Sequence, residues 1–452
     1  MNVLAVCIFV PSLLIVYIHL IKTVRFFLYA KELLMNVEWY KLDNAGKLYA
    51  STVTSRVSTV FRLSVNLKSM VNPEVLQWAI EQTLEQLPLF KVMVKKGIFW
   101  NYFKKTNKIP IASIEHYYPC SNLFFTSHNT FPYRILYYNR RISFEVSHML
   151  TDGTGALEFL KILVTYYVKR KESLDLQMET KNRINLEFED SFATYYEENI
   201  PSWQEGLDYA YKLPFKFDKK GIYHITTGEI NIREIKQLAK SQGISITTYL
   251  ISKYIEVLIE IQAELAANPK PITINVPVNL RNFFESQTLR NFFVSIPITI
   301  DPRLGEYTFH EIVQKVQIEF KRYLNSKELK PLIARNVRGE RNVLLRLLPL
   351  SIKDQLAPII HSKFGESLYT SSISNLGVVS LNKDIEPFIE RFEFYPPPSV
   401  GNKIKVGVIS YGSYMYITFG NISDIQIVER EFFRKLKKDG INVKIESNRR
   451  GY

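Results

Sequence analysis

The sequence predicts an α/β protein of two mixed-sheet lobes of similar size behind an apolar N-terminal segment. Three observations carry this. Strand-type and helix-type patterns alternate over residues 35–175. A polar stretch over 176–220, rich in Lys, Glu, Asp and Tyr and with little periodicity, reads as a surface linker. The alternation then resumes over 221–452. Apolar residues make up 46% and charged residues 23% of the 452 positions, which excludes collagen, coiled coil and wholesale disorder. With 27 Tyr and 29 Phe, the chain can build a large core and line an apolar pocket.

In the first lobe, residues 58–65 alternate like a half-buried strand. Asn72-Pro73 opens a helix that runs to about Gln86, before Pro88. Lys91–Val94 and Ile98–Phe103 form a hairpin about Gly97, and Pro132–Tyr138 forms another with Arg141–Ser147, turning at Asn139-Arg140. A mostly buried helix covers Ala156–Tyr167. In the second lobe, His224–Ile230 is a strand, Asn231 caps a helix, and Gly243 ends it. Thr247 or Thr248 caps a longer helix to about Ala267. Strands follow at Pro271–Val278 and Phe292–Ile300, then a helix from Thr308 to Leu324. The late strands are Leu368–Ile373, Lys405–Tyr411 and Tyr414–Phe419, the last two joined at Gly412-Ser413.

From Val3 to Ile21 no residue is charged, a run of about 19 positions, just long enough to span a bilayer. It ends at Lys22, Arg25 and Lys31, so residues 1–34 read as a membrane anchor with the main body on the cytoplasmic side. The rival reading starts the folded protein at Met35, just before Asn36-Val-Glu-Trp-Tyr40. Cys7 and Cys120 cannot build a disulfide framework, and no Cys/His cluster has metal-ligand spacing; a reducing compartment suits the chain, and no metal is expected.

Lys and Arg number 58 against 44 Asp and Glu, a net charge of +14 that favours an anionic partner such as a phosphate-bearing cofactor. The basic residues form no dense tract, and nucleic acid is not expected as a partner. The richest stretches, Arg335–Arg346 and Arg434–Lys438, also read as solvated faces of amphipathic helices.

The chemistry gathers at His148-Met-Leu-Thr-Asp152-Gly153, where a strand ends and a helix begins. Histidine is suited to take a proton near neutral pH, which makes His148 the candidate general base for an alcohol or amine. Asp152 can brace the loop if a buried cation matches its charge, and Gly153 allows a tight turn and close backbone approach. The plain alternative is a core histidine beside a helix-capping aspartate. The other histidines have no ligand spacing, and GxSxG, P-loop and GxGxxG motifs are absent, which removes most of the case for phosphoryl transfer and dinucleotide chemistry.

His148-xxx-Asp152-Gly153, then Asn275-Val-Pro-Val-Asn279-Leu-Arg281, then Ser374-Asn375-Leu-Gly377 resemble, in that order, the motifs of the CoA-dependent acyltransferase superfamily. That group includes chloramphenicol acetyltransferase, plant BAHD acyltransferases, peptide-synthetase condensation domains and alcohol O-acetyltransferases. The alcohol acetyltransferase branch is most similar, through Trp39-Tyr-Lys-Leu-Asp43, Asn279-Leu-Arg-Asn-Phe-Phe284 and Thr288-Leu-Arg-Asn-Phe-Phe293. The resemblance implies two chloramphenicol-acetyltransferase-like lobes flanking a central tunnel, with His148 at its middle. Acyl-CoA, most simply acetyl-CoA, would enter as co-substrate from one face and a small or lipophilic alcohol from the other; no cofactor would stay bound. His148 would deprotonate the acceptor for direct attack on the thioester, without an acyl-enzyme. Asp152 would be structural, paired with Arg281, and Gly153 would keep the backbone close to substrate. Ser374 or Asn375 is the candidate oxyanion donor.

Two departures from the group's patterns are visible. Ser147 stands where condensation domains carry a second histidine, and the Asp-Phe-Gly-Trp-Gly motif of BAHD enzymes is absent. Residues that bind CoA are not identified, although Arg335–Arg346 could meet its phosphates. Two lobes in one chain can complete the site as a monomer. N-acyl transfer, carrier-protein-dependent transfer and an idle, membrane-associated binding protein of the same fold remain the alternatives.

Overall fold

The computed structural model describes residues 39–53, 58–116, 118–123, 130–178, 188–201 and 206–449. The expected anchor over residues 1–34 lies outside them. No helix among the described residues is long and apolar enough to cross a membrane.

The smaller lobe is built on a five-stranded sheet of β2 (Val60–Leu67), β5 (Ser113–Ile114), β6 (Tyr133–Tyr138), β7 (Arg141–Ser147) and β12 (Ile389–Tyr395), in the order β12-β2-β7-β6-β5. Beside it, β1 (Trp39–Lys41), β3 (Val92–Lys96) and β4 (Asn101–Lys105) form a three-stranded sheet. The Pro73–Gln86 helix starts where Asn72 Oδ1 accepts from the Glu74 and Val75 amides. Together with the Gly153–Lys171 helix it covers the sheet and buries Leu76, Ile80, Phe159 and Leu163. The strand β12 comes from the second half of the chain, so the smaller lobe is completed by residues distant in sequence.

The larger lobe has seven strands: β8 (His224–Asn231), β9 (Ile272–Asn279), β10 (Phe293–Ile300), β11 (Ser371–Val379), β13 (Ile404–Tyr411), β14 (Tyr414–Asn421) and β15 (Val443–Ser447), ordered β10-β9-β11-β13-β14-β8-β15. The sheet is mixed because β11 runs parallel to both β9 and β13. Helices Ile246–Leu265, Phe309–Tyr323 and Ile427–Lys438 pack on it. The 176–220 stretch adds Phe192, Tyr211, Leu213 and Phe215 to the same core.

Three local expectations need correction. The Ile246–Leu265 helix is capped by Ser245, whose Oγ accepts from the Thr248 amide at 3.0 Å, rather than by Thr247 or Thr248. The strand expected at Leu368–Ile373 begins at Ser371 and continues to Val379, because a register irregularity between Asn375 and Val378 lets it pass the loop-like Asn-Leu-Gly. Helix Ser326–Arg341, expected only as the amphipathic face of Arg335–Arg346, and helix Leu350–Phe364, outside the expected elements, hold interior prolines Pro331 and Pro358.

Candidate active site

A cavity of about 540 Å³ opens between the two large sheets and is lined by His148, Asp152, Gly153, Ser374 and Asn375. Its size is ordinary for a small-molecule site. Arg281 reaches the same place from outside the lining, through Asp152.

His148 follows β7 directly, and its backbone is fixed on both sides. Its amide donates to Thr59 O at 2.9 Å, and its carbonyl accepts from Asn291 Nδ2 at 2.8 Å. The imidazole lies between the rings of Phe61, 4.4 Å away, and Tyr49, 4.8 Å away and nearly parallel, with Phe293 at 5.8 Å. Desolvation in this aromatic sleeve lowers the imidazole pKa to about 4, and the Asp152 carboxylate only partly offsets it. The ring is therefore neutral at pH 7 and able to accept a proton. Nδ1 is buried and outside hydrogen-bond geometry, as is Asn291 Oδ1. Asn291 and the Thr151 backbone are nevertheless the polar groups beside the ring that favour its protonation.

Asp152 is the N-cap of the Gly153–Lys171 helix and is nearly fully buried. Oδ1 accepts from the Thr154 and Gly155 amides at 3.1 and 3.0 Å. Oδ2 accepts from Arg281 Nη1 at 2.8 Å and from the Phe292 amide at 2.9 Å. With both oxygens committed, this carboxylate holds structure and is not placed to relay a proton. Arg281 also donates from Nε to Thr288 O at 3.0 Å and from Nη2 to Arg290 O at 2.5 Å, so it ties the 279–292 segment to the helix start.

Gly153 opens the helix with right-handed backbone, so the freedom of a tight turn is not what it supplies; an added Cβ would meet the Leu376 side chain at 2.6 Å. The stricter requirement falls on Gly155, where a Cβ would lie 2.2 Å from Leu289 O and from Thr151 Oγ1.

Ser374 and Asn375 differ in what they have left to offer. Asn375 Nδ2 donates to Thr247 Oγ1 at 3.1 Å, and its Oδ1 accepts from the Gly377 amide at 2.8 Å. These bonds pin the irregular turn, in which Gly377 takes φ +77°. Ser374 is not so engaged and keeps its hydroxyl for the cavity.

Sequence reasoning assigned no role to Asp43, Asn291, Tyr49 or Phe61. Buried Asp43 caps the Asn44–Thr52 helix and meets both the amide and the side chain of Asn291, which in turn holds the His148 carbonyl. Burial pushes the Asp43 carboxyl up to about 6, opposed by the nearby Arg290 guanidinium. Asp43 and Asn291 lay inside two of the quoted motifs, but nothing local announces a contact across so much chain. Among the described residues, none from Arg335 to Arg346 lines the cavity. Arg338 donates to Ile200 O and Glu198 O, and Arg341 stacks 4.2 Å over the Tyr196 ring.

No protein-family model and no curated protein sequence matches the chain. Solved structures do match. TRI101 of F. sporotrichioides, solved with coenzyme A and T-2, superposes with a TM-score of 0.62 at 11% identity, covering 90% of this chain and 99% of that one. TRI3 trichothecene 15-O-acetyltransferase of Fusarium sporotrichioides gives 0.56 at 11% identity over 88% and 94%. The first condensation domain of the CDA synthetase gives 0.55 at 11% identity over 89% and 96%. The chain therefore has the mixed α/β fold shared by CoA-dependent acyltransferases and peptide-synthetase condensation domains.

Proposed function

We propose that this protein is an acyl-CoA-dependent O-acyltransferase that moves an acyl group, most simply acetyl, from CoA to the hydroxyl of an alcohol. The observation that carries the reading is the neutral imidazole of His148, held by its backbone and by flanking aromatic rings at a cavity lined also by Ser374. His148 takes the acceptor's proton as the alcohol oxygen attacks the thioester carbonyl. The C–S bond then breaks from the tetrahedral intermediate, and the thiolate leaves with the proton as CoA-SH. Asn291 is a positioning residue: its Nδ2 holds the His148 carbonyl, and its side chain beside the ring favours a proton on the imidazole. Ser374, which lines the cavity, is the oxyanion donor in this reading, an interaction worth about 3–4 kcal/mol in comparable sites. Asp152 and Arg281 keep the frame.

The direct test is thiol release from acetyl-CoA with a panel of alcohols and amines, wild type beside His148→Ala. Alcohol-dependent release with intersecting initial-velocity lines is expected, and it should vanish in the mutant. Parallel lines would indicate an acyl-enzyme and reject the direct attack. Release with amines only would move the reading to N-acyl transfer, and no release with any acceptor would count against a CoA-linked donor.

A further inference from the structure

Lys405 is the one Lys or Arg among the described residues lining the cavity, and it has no ion pair or hydrogen bond there. It is partly buried on β13. Among the described lining residues the one acidic group, Asp152, is committed to Arg281 and the helix amides. Glu366, the carboxylate whose field reaches Lys405, is bonded to Ser399 and to the Gly401 amide at 3.0 Å. Lys405 thus has no counter-ion in contact within the cavity; the field of Glu366 that reaches it acts on Lys212 as well, and a bound anion would complete the site.

The surroundings suit a small anion. Strand register places Asn275, Ser372 and Lys405 in one row across β9, β11 and β13, all three lining the cavity. Asn275 Oδ1 is buried without a partner and can only accept, so this side chain meets an anion through its Nδ2 donor. Ser374, one step along β11 on the same face, borders this row on the side of the Asn375 turn. Lys405 and His148 line the same cavity, and burial there lowers the Lys405 pKa. The phosphates of CoA, a full pantetheine arm from the thioester, would be too remote.

We propose that Lys405, with Asn275 and Ser372 beside it, is the counter-ion for a carboxylate carried by one substrate: a hydroxy acid as acceptor, or a dicarboxylic acyl group on CoA. The choice of probes rests on the transferase reading, but the readout is binding. Dissociation constants are measured by calorimetry for wild type, Lys405→Met and Lys405→Arg. The acceptor pair is 3-hydroxybutyrate against its methyl ester, and the donor pair is succinyl-CoA against butyryl-CoA. In one pair the carboxylate member should bind wild type about tenfold or more tighter. Lys405→Met should erase that preference while the neutral member's Kd stays within about twofold, and Lys405→Arg should keep most of it. The pair that responds names the substrate that carries the charge. Equal affinities within both pairs in wild type, a preference that survives Lys405→Met, or no binding by any of the four probes would overturn the assignment. A Lys405-dependent preference without thiol release would instead strike the transferase reading alone.

Discussion

At the residue scale, the decisive fact about His148 is its neutrality. A base with its pKa near 4 stays unprotonated well below pH 6.5, so kcat/KM should hold as pH falls and drop only toward about pH 4–5. An acidic limb near 6.5 in the kcat/KM profile would contradict this environment. The same depression has a sign for stability. The folded pKa lies below the unfolded value, so the neutral-state stability is present above 6.5 and is lost as pH falls toward 4. Asp43, raised to about 6, acts in the opposite sense by favouring its protonated form over that range, so the two offset each other in the fold. The histidine and its aspartate were legible because motif and element boundary coincide. The rings of Tyr49 and Phe61 were not, since an aromatic residue in a strand or short helix looks the same whether it faces core or ligand.

At the element scale, Arg281 joins the start of the Gly153–Lys171 helix to the 279–292 segment of the other lobe through Asp152, Thr288 and Arg290. Removing it strands a buried carboxylate. Arg281→Ala should cost about 3–5 kcal/mol in urea unfolding and lower activity as well. A loss within about 0.5 kcal/mol would show that the helix amides and Phe292 alone satisfy Asp152. Caps and hairpins were readable wherever the signal is local. Asn72 and Asn231 cap as their sequence positions imply, and the helix expected from about Thr308 starts at Phe309, with Thr308 and Glu311 in a capping box. The buried cluster of Arg62, Glu145 and Arg134 was not readable, because it depends on cross-strand register in the five-stranded sheet.

At the scale of the whole molecule, the mixed α/β architecture was visible in the alternation of patterns, whereas the 176–220 stretch, read as a surface linker, buries Phe192, Tyr211, Leu213 and Phe215 in the larger lobe's core. The exchange of β12 into the smaller lobe was not visible, since pairing between Ile389–Tyr395 and β2 leaves no mark in either segment alone. Under the proposed function, binding and chemistry are separable at this scale: the lobes build the cavity that His148 lines, and a general-base role for it is open to direct test. The most direct test compares His148→Ala with wild type for both kcat and acyl-CoA affinity. The account predicts a kcat about 10²–10⁴-fold lower, with the acetyl-CoA Kd within about twofold of wild type. Retained turnover in the mutant would contradict the general-base role at the centre of this account.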